Sequence, residues 1–182
     1  AAAFAGKVNE AQRLGIDLNG TTGADIFSIG APQVLPSANN ARDANGQLIS
    51  TVTMEVTDPS LLQASDYSMR ADPNNPGQYE LVRLSDGVTR SVSDGDQVDG
   101  FQIHIGTPAP AATDRFLLQP VARAASGMHR ILDDPNAVAA ALPVQASLGV
   151  DNTGTATIDL LRMTDGSVNP DLTATITFSD ET

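Results

Sequence analysis

Two stretches rich in Asp and Gly hold the residues best suited to chemistry. "DLNGTTGAD" at 17–25 and "DGDQVDG" at 94–100 each set oxygen donors around glycines, the composition of a calcium loop. A helix–loop–helix calcium site needs oxygens at alternate positions, Gly at the sixth and Glu at the twelfth. Counted from Asp17, the sixth position is Thr22 and the twelfth Ser28; counted from Asp94, Asp96 fits but Val98 takes the fifth. Both stretches therefore read as turns, and neither a metal nor a cofactor is expected. A phosphate cradle fails on order, because "GTTGAD" follows a helix-like segment, whereas a cradle takes a strand before its glycines and a helix after them. Asp94, Asp96 and Asp99 crowd one loop and could in principle divide acid and base roles on a glycosidic bond. Bounded by Gly95 and Gly100, that short polar loop reads instead as a solvated turn. His104 falls on the polar phase of "FQIHI", and His129 has no G-x-S-x-G elbow to serve, so no triad or zinc site assembles and no enzyme is expected.

The elements that carry these residues fall into three regimes. In "AAAFAGKVNEAQRL" Phe4, Val8 and Ala11 recur at helical spacing with Leu14 close by, and one apolar face of so short a helix needs a partner outside itself. Gly15 is placed to end the helix in the left-handed conformation, with Asp17, Asn19 and Gly20 supplying turn chemistry. From about residue 48 the period becomes two. "STVTMEVT", "YELVRL", "VTRSVS" and "FQIHI" alternate apolar and polar residues, with "SDG" at 85–87 as a short hairpin turn and "SDGDQVDG" at 93–100 as a longer one. "RFLLQPV" adds a strand whose end Pro120 puts at an edge or in a bend. Asp134 caps a short helix over 135–142 with Pro135 at its first position. Beyond 146 lie "TATIDLLRMT", a turn at "DGSVNPD" and "LTATITFS". Two echoes, "VRLSDG" with "LRMTDG" and "STVTMEVTD" with "LTATITFSD", are those of a repeat. The fold class expected is mainly β, an antiparallel sandwich or barrel-like domain after an N-terminal helix. The divisions are 1–35 for the helix end and a hinge, 36–145 for the β domain, and 146–182 for further strands, either an incomplete second β unit or the close of the first.

Composition narrows the function. The 182 residues carry a formal charge of −12, with 22 acidic residues against 10 basic ones, which repels phosphate backbones and anionic membrane surfaces. Nucleic acid and membrane are excluded as partners on that ground. Five Phe, two Tyr and no Trp are too few for stacking platforms. The absence of Cys rules out disulfides and thiolate chemistry without excluding life outside the cell. No apolar run is long enough to span a bilayer, and the start, "AAAFAGKVNE", without Met, reads as the cut end of something longer that could have carried a targeting signal.

Read in order, "FAGKVNEAQRLGIDLNGTTGADIFSIG", "YELVRLSDG" and "DGFQIHIGTPAPAATDRFLLQPVARAASGMHRILDDPNAVAAA" resemble the bacterial flagellar hook-associated protein 1 family, over roughly residues 4–142. The family's V-N-x-x-x-x-x-G-x-D-x-N-G-x-x-G signature is met by Val8, Asn9, Gly15, Asp17, Asn19, Gly20 and Gly23. Asp99, Gly100, Phe101 and Ile103 meet D-G-(F/L)-x-(I/V), and Asp114, Phe116, Leu118, Pro120 and Val121 meet D-x-F-x-L-x-P-V. Ile26 stands where the family often has an aromatic before Phe27, and the family's terminal heptad-rich segments are absent. The resemblance implies a junction protein between hook and filament, exported to the extracellular flagellum without a cleaved signal peptide. It implies self-assembly into a ring, with hook protein and a second junction protein as neighbours. This segment would be the outward-projecting β region, monomeric alone because of its charge. On that view "GIDLNGTTGADIFSIG" is a hinge in which Gly15, Gly20 and Gly23 serve backbone geometry while Ile26, Phe27 and Ile29 pack the crossing. The alternative is a calcium-stabilised module of an extracellular adhesin that binds carbohydrate or cell surfaces, suggested by the density of Asp, Asn and Gly in loops.

Overall fold

The computed structural model describes residues 1–147, 149, 150, 153–155, 161, 163 and 164. They divide into two compact units, one of residues 1–10 and 25–133, the other of residues 11–24 and the described residues from 134 onward. Helix α1, Ala2–Arg13, contributes residues to both.

The first unit is built of antiparallel strands. A five-stranded sheet has the order β2 (Gln33–Pro36), β9 (Arg115–Gln119), β4 (Tyr67–Ala71), β5 (Tyr79–Arg83), β6 (Thr89–Val92). A three-stranded sheet runs β3 (Val52–Val56), β8 (Phe101–Ile105), β7 (Gln97–Val98). A two-stranded ribbon pairs β1 (Phe27–Ser28) with β10 (His129–Arg130). Alternation directs one face of each larger sheet inward: Tyr67, Met69, Tyr79, Leu81, Val92, Phe116 and Leu118 from the first meet Val52, Val98, Phe101 and Ile103 from the second in one core. This is the sandwich expected for alternating strands. Fully burying each large apolar side chain contributes about 1.5–3 kcal/mol.

Several details depart from the sequence reading. β4 is a strand the reading passed over, although Tyr67, Met69 and Ala71 alternate. β7 sits inside the stretch read as one long turn, which makes the hairpin to β8 a tight one. β9 is an interior strand, flanked by β2 and β4, and of the two places expected for Pro120 the structure takes the second: the strand ends one residue before it, and Pro120 is buried in the bend that follows. The helix expected over 135–142 is a single 3-10 turn, Pro135–Ala137, capped as expected by Asp134, whose carboxylate accepts from the Asn136 N–H at 2.9 Å. It goes no further because the next backbone groups are taken elsewhere: the Ala139 N–H donates to Gln12 Oε1 at 3.1 Å, and Ile16 and Ala141 pair as a bridge. Gly15 is not left-handed. Its N–H closes a last tight turn onto the Gln12 carbonyl at 3.2 Å, and its lack of a Cβ leaves room for Ala139.

The face α1 buries also differs. Ala2, Ala5, Asn9 and Gln12, spaced three to four apart, are buried, while Phe4 remains 58% exposed and Ala11 is exposed. The apolar stripe seen in the sequence is thus the outer one. The strands and turn read over 155–179, with the two echoes, lie outside the described residues apart from 155, 161, 163 and 164.

Candidate functional site

Asn9 and Gln12 lie on α1, whose own backbone groups bond along the helix. Their carboxamides are therefore free to satisfy other segments, and a buried amide must find such partners. The Asn9 amide donates to the Phe27 carbonyl at 2.7 Å, and its oxygen accepts the N–H groups of Ile26 and Phe27, each at 3.0 Å. Phe27 in turn packs its ring against Phe4, centroids 5.7 Å apart. Within the second unit Gln12 does the same, donating to the Ala137 carbonyl at 2.8 Å while accepting from Ala139. Gly23 approaches so closely that a Cβ there would collide with the Gln12 carbonyl. Asn9 was read only as part of a family signature, and Gln12 was missed; a polar residue on the buried phase of a helix is the signal that points to both.

The loop after the helix is a small stapled hairpin. The Asp17 carboxylate accepts the N–H groups of Asn19 at 2.8 Å and Thr21 at 2.9 Å, and Gly20 sits at φ 79°. The Thr21 N–H, foremost among these donors, holds the Asp17 carboxyl below its ordinary value. Its oxygens are thus engaged with the turn's own donors.

At the second motif, Asp99 (φ 46°) and Gly100 (φ 86°) form the two central positions of the β7–β8 hairpin, with Val98 opposite Phe101. Positive φ at both positions is the geometry that fits two antiparallel strands, and Asp-Gly supplies it. Asp99 is not the solvated turn residue expected, because Arg83, Arg90 and Tyr67 reach it from strands remote in sequence. With its side chain 10% exposed, it accepts from the Tyr67 hydroxyl at 2.7 Å and from Arg83 at 2.8 Å, with Arg90 at 3.4 Å. Arg83 also grips Asp86, holding that carboxyl down at about 2. Burial, then the bond to Asp99, pushes the Tyr67 hydroxyl well above its usual value. Phe101 stacks edge-on against Tyr67 at 5.0 Å, which ties one sheet to the other.

Asp114, just before β9, is 1% exposed. It accepts the Ala41 N–H at 2.9 Å, the Ala111 N–H at 2.9 Å and the Ser50 hydroxyl at 3.0 Å, pinning the 37–50 segment to the sheet. Burial pushes its carboxyl up, but these donors and the charge of Arg115 outweigh that and leave it below 3.8. Phe116 fills the core two residues on. Asp86 and Asp114 bind fewer protons folded than unfolded, so their stabilisation is present above about pH 3.8 and is lost as pH falls through their lower folded values. The melting temperature should hold steady near neutrality and drop below pH 4; Asp114→Asn should shallow that drop in a pH series of thermal melts.

The remaining candidates diverge. Asp94 accepts the Ile105 N–H at 2.7 Å and Asp96 the Ser93 N–H at 2.8 Å, so the three carboxylates of one loop serve three separate backbone or ion-pair tasks. Ser28 Oγ lies 2.9 Å from His129 Nε2 across the β1–β10 ribbon, a contact the sequence did not suggest, and His129 Nδ1 lies 2.9 Å from the Gly127 carbonyl. His104 is exposed, as its phase implied. Among the described residues no group of three His, Cys, Asp or Glu is placed to hold a metal, and no helix is long and apolar enough to cross a membrane.

Residues 38–120 match the family model for "Flagellar hook-associated protein 1, D2-like domain". Flagellar hook-associated protein 1 of Escherichia coli (strain K12) is 32% identical over 164 residues, which cover 88% of this chain and 28% of that protein. Its counterpart in Salmonella typhimurium is 34% identical over 133 residues, 71% of this chain and 22% of the relative. The solved structure of the flagellar hook junction protein from Burkholderia pseudomallei superposes with a TM-score of 0.71 at 27% identity, over 85% of this chain and 27% of that one. The chain thus spans less than a third of the length of each relative. None of these matches favours an adhesin.

Proposed function

This chain belongs to the flagellar hook-associated protein 1 family, and from that premise we propose that it is the outward β region of a junction protein joining hook to filament. The full protein, on this reading, is exported to the extracellular flagellum without a cleaved signal peptide and assembles as a ring between hook protein and a second junction protein. The segment alone, with its charge of −12, stays monomeric. Residues 1–35 serve as helix end and hinge, 36–145 as the β domain and 146–182 as further strands. The role is mechanical rather than catalytic. The observation that supports it best is the likeness over most of the chain to a hook junction protein. Within the chain, the reading draws support from polar groups spent on fixing backbone: Asn9 on the crossing, Asp17 on its own loop, Asp114 on the 37–50 segment.

Gly20 and Gly23 set the crossing's course, one by its positive φ and the other by its contact with the Gln12 carbonyl. Gly20→Val with Gly23→Val, introduced into the full-length protein of a strain lacking its own copy, should leave the protein in the culture medium but sharply reduce attached filaments. Filaments counted by electron microscopy at the wild-type number would sink the hinge.

A further inference from the structure

Two loops remote in sequence follow one pattern, Asp17-Leu18-Asn19-Gly20-Thr21 and Asp43-Ala44-Asn45-Gly46-Gln47. In each, one Asp oxygen accepts the N–H of the Asn at 2.8 Å and of the loop's last residue at 2.9 Å. The Gly N–H donates to the Asp carbonyl at 3.1 Å and 3.0 Å, and the Gly φ values are 79° and 78°. Bridges Ile16–Thr22 and Arg42–Leu48 close the two loops alike. Both Asn residues are exposed.

They differ in what holds the carboxamide. Asn19 Nδ2 donates to Asp17 Oδ2 at 3.3 Å, an oxygen that the Thr21 hydroxyl also fixes at 2.9 Å. At the equivalent position Gln47 has no hydroxyl, and among the described residues no hydrogen bond holds the Asn45 carboxamide. Asn followed by Gly is the pairing in which a backbone nitrogen reaches the side-chain carbonyl with least obstruction, because no Cβ stands on the attacking residue.

We propose that Asn45 is a site of spontaneous deamidation in the folded protein and that Asn19 is its protected counterpart. The Gly46 nitrogen loses its proton and bonds to Asn45 Cγ; the Cγ–Nδ2 bond breaks, and ammonia leaves carrying that proton. Water, the only co-reactant, then opens the five-membered imide to aspartate or isoaspartate. Either product places a new negative charge beside Asp43, and isoaspartate adds a methylene to the backbone of a loop whose register Asp43 sets.

The test is to incubate the intact chain at neutral pH, digest samples over time and quantify both sites by mass spectrometry, with isoaspartate read by an isoaspartyl methyltransferase. Asn45 should convert about fivefold faster than Asn19, the population ratio that one ordinary intramolecular hydrogen bond sets. In concentrated urea the two rates should converge. Equal rates in the folded chain, faster loss at Asn19, or a ratio that survives urea unchanged would each overturn the proposal.

Discussion

Asp114→Ala should cost the β unit about 3–5 kcal/mol in urea unfolding, since three donors lose a buried, charged acceptor and the penalty for leaving such groups unpaired exceeds the worth of an average hydrogen bond. The Ser50 hydroxyl in particular cannot turn to water easily, because Ser50 is 3% exposed. Asp114→Asn keeps the shape but turns an NH2 group toward N–H and hydroxyl donors, so most of the loss should remain. Both variants should shift the urea midpoint at nearly constant slope, as expected when the native contacts and not the unfolded chain have changed. A loss below about 1 kcal/mol for the alanine variant would mean that the 37–50 segment is held by something other than Asp114.

Gly100→Ala should be nearly as damaging, and a comparison with Gly95→Ala isolates the reason. Both glycines hold positive φ, 86° and 83°, so each variant pays the conformational cost of an L side chain there, about 1 kcal/mol. Around Gly95 the space is open, with its nearest neighbour, Gln102 Nε2, 3.9 Å from a new Cβ. At Gly100 the new atom would drive into the Asp58 carbonyl and lie 3.1 Å from Leu61 Cβ. The backbone there cannot yield cheaply, because the N–H groups of Thr57 and Asp58 both donate to the Gly100 carbonyl at 3.0 Å. Gly95→Ala should therefore lower stability by about 1 kcal/mol and Gly100→Ala by about 3 kcal/mol or more. Equal losses in paired thermal melts would leave turn conformation as the only effect and remove the close approach from the account.

How far the sequence foretold this structure depends on where each residue finds its partners. β3 and β8 were legible because their neighbours in the chain already alternate, as in Phe101, Gln102, Ile103, His104. β4 was not, although Tyr67, Met69 and Ala71 alternate with Ser68 and Arg70, because its five residues stand between the turn-rich "DPSLLQASD" and "DPNNPG"; Arg70 lies on the outward phase and pairs with Glu80 on β5, at 2.6 Å. The helix was legible as a helix, yet its buried face was not. Phe4 and Val8 mark an apolar stripe, whereas the face chosen for burial carries Asn9 and Gln12, whose value comes from backbone groups up to 127 positions away. Asp99 was misread for the same reason. Its local text is that of a surface turn, and the cations that claim it belong to β5 and β6. The capping pair Asp134-Pro135 was legible, but the length of what it caps was not, since Ala139 and Ala141 answer to Gln12 and Ile16. The family resemblance survived these errors because it rested on the order of residues rather than on their assigned places.

The joints made by Asn9 and Gln12 differ in kind from the one made by Asp114. A carboxamide has no proton to gain or lose over the ordinary pH range and no net charge for salt to screen. Acid that releases the Asp114 anchor should therefore leave the amide protons of Ile26, Phe27 and Ala139 slow to exchange, so that the weathering of the molecule has an order, its charged fastening first. For a part that works outside the cell, in water whose salinity and acidity it cannot regulate, the helix is fastened by the groups least sensitive to either.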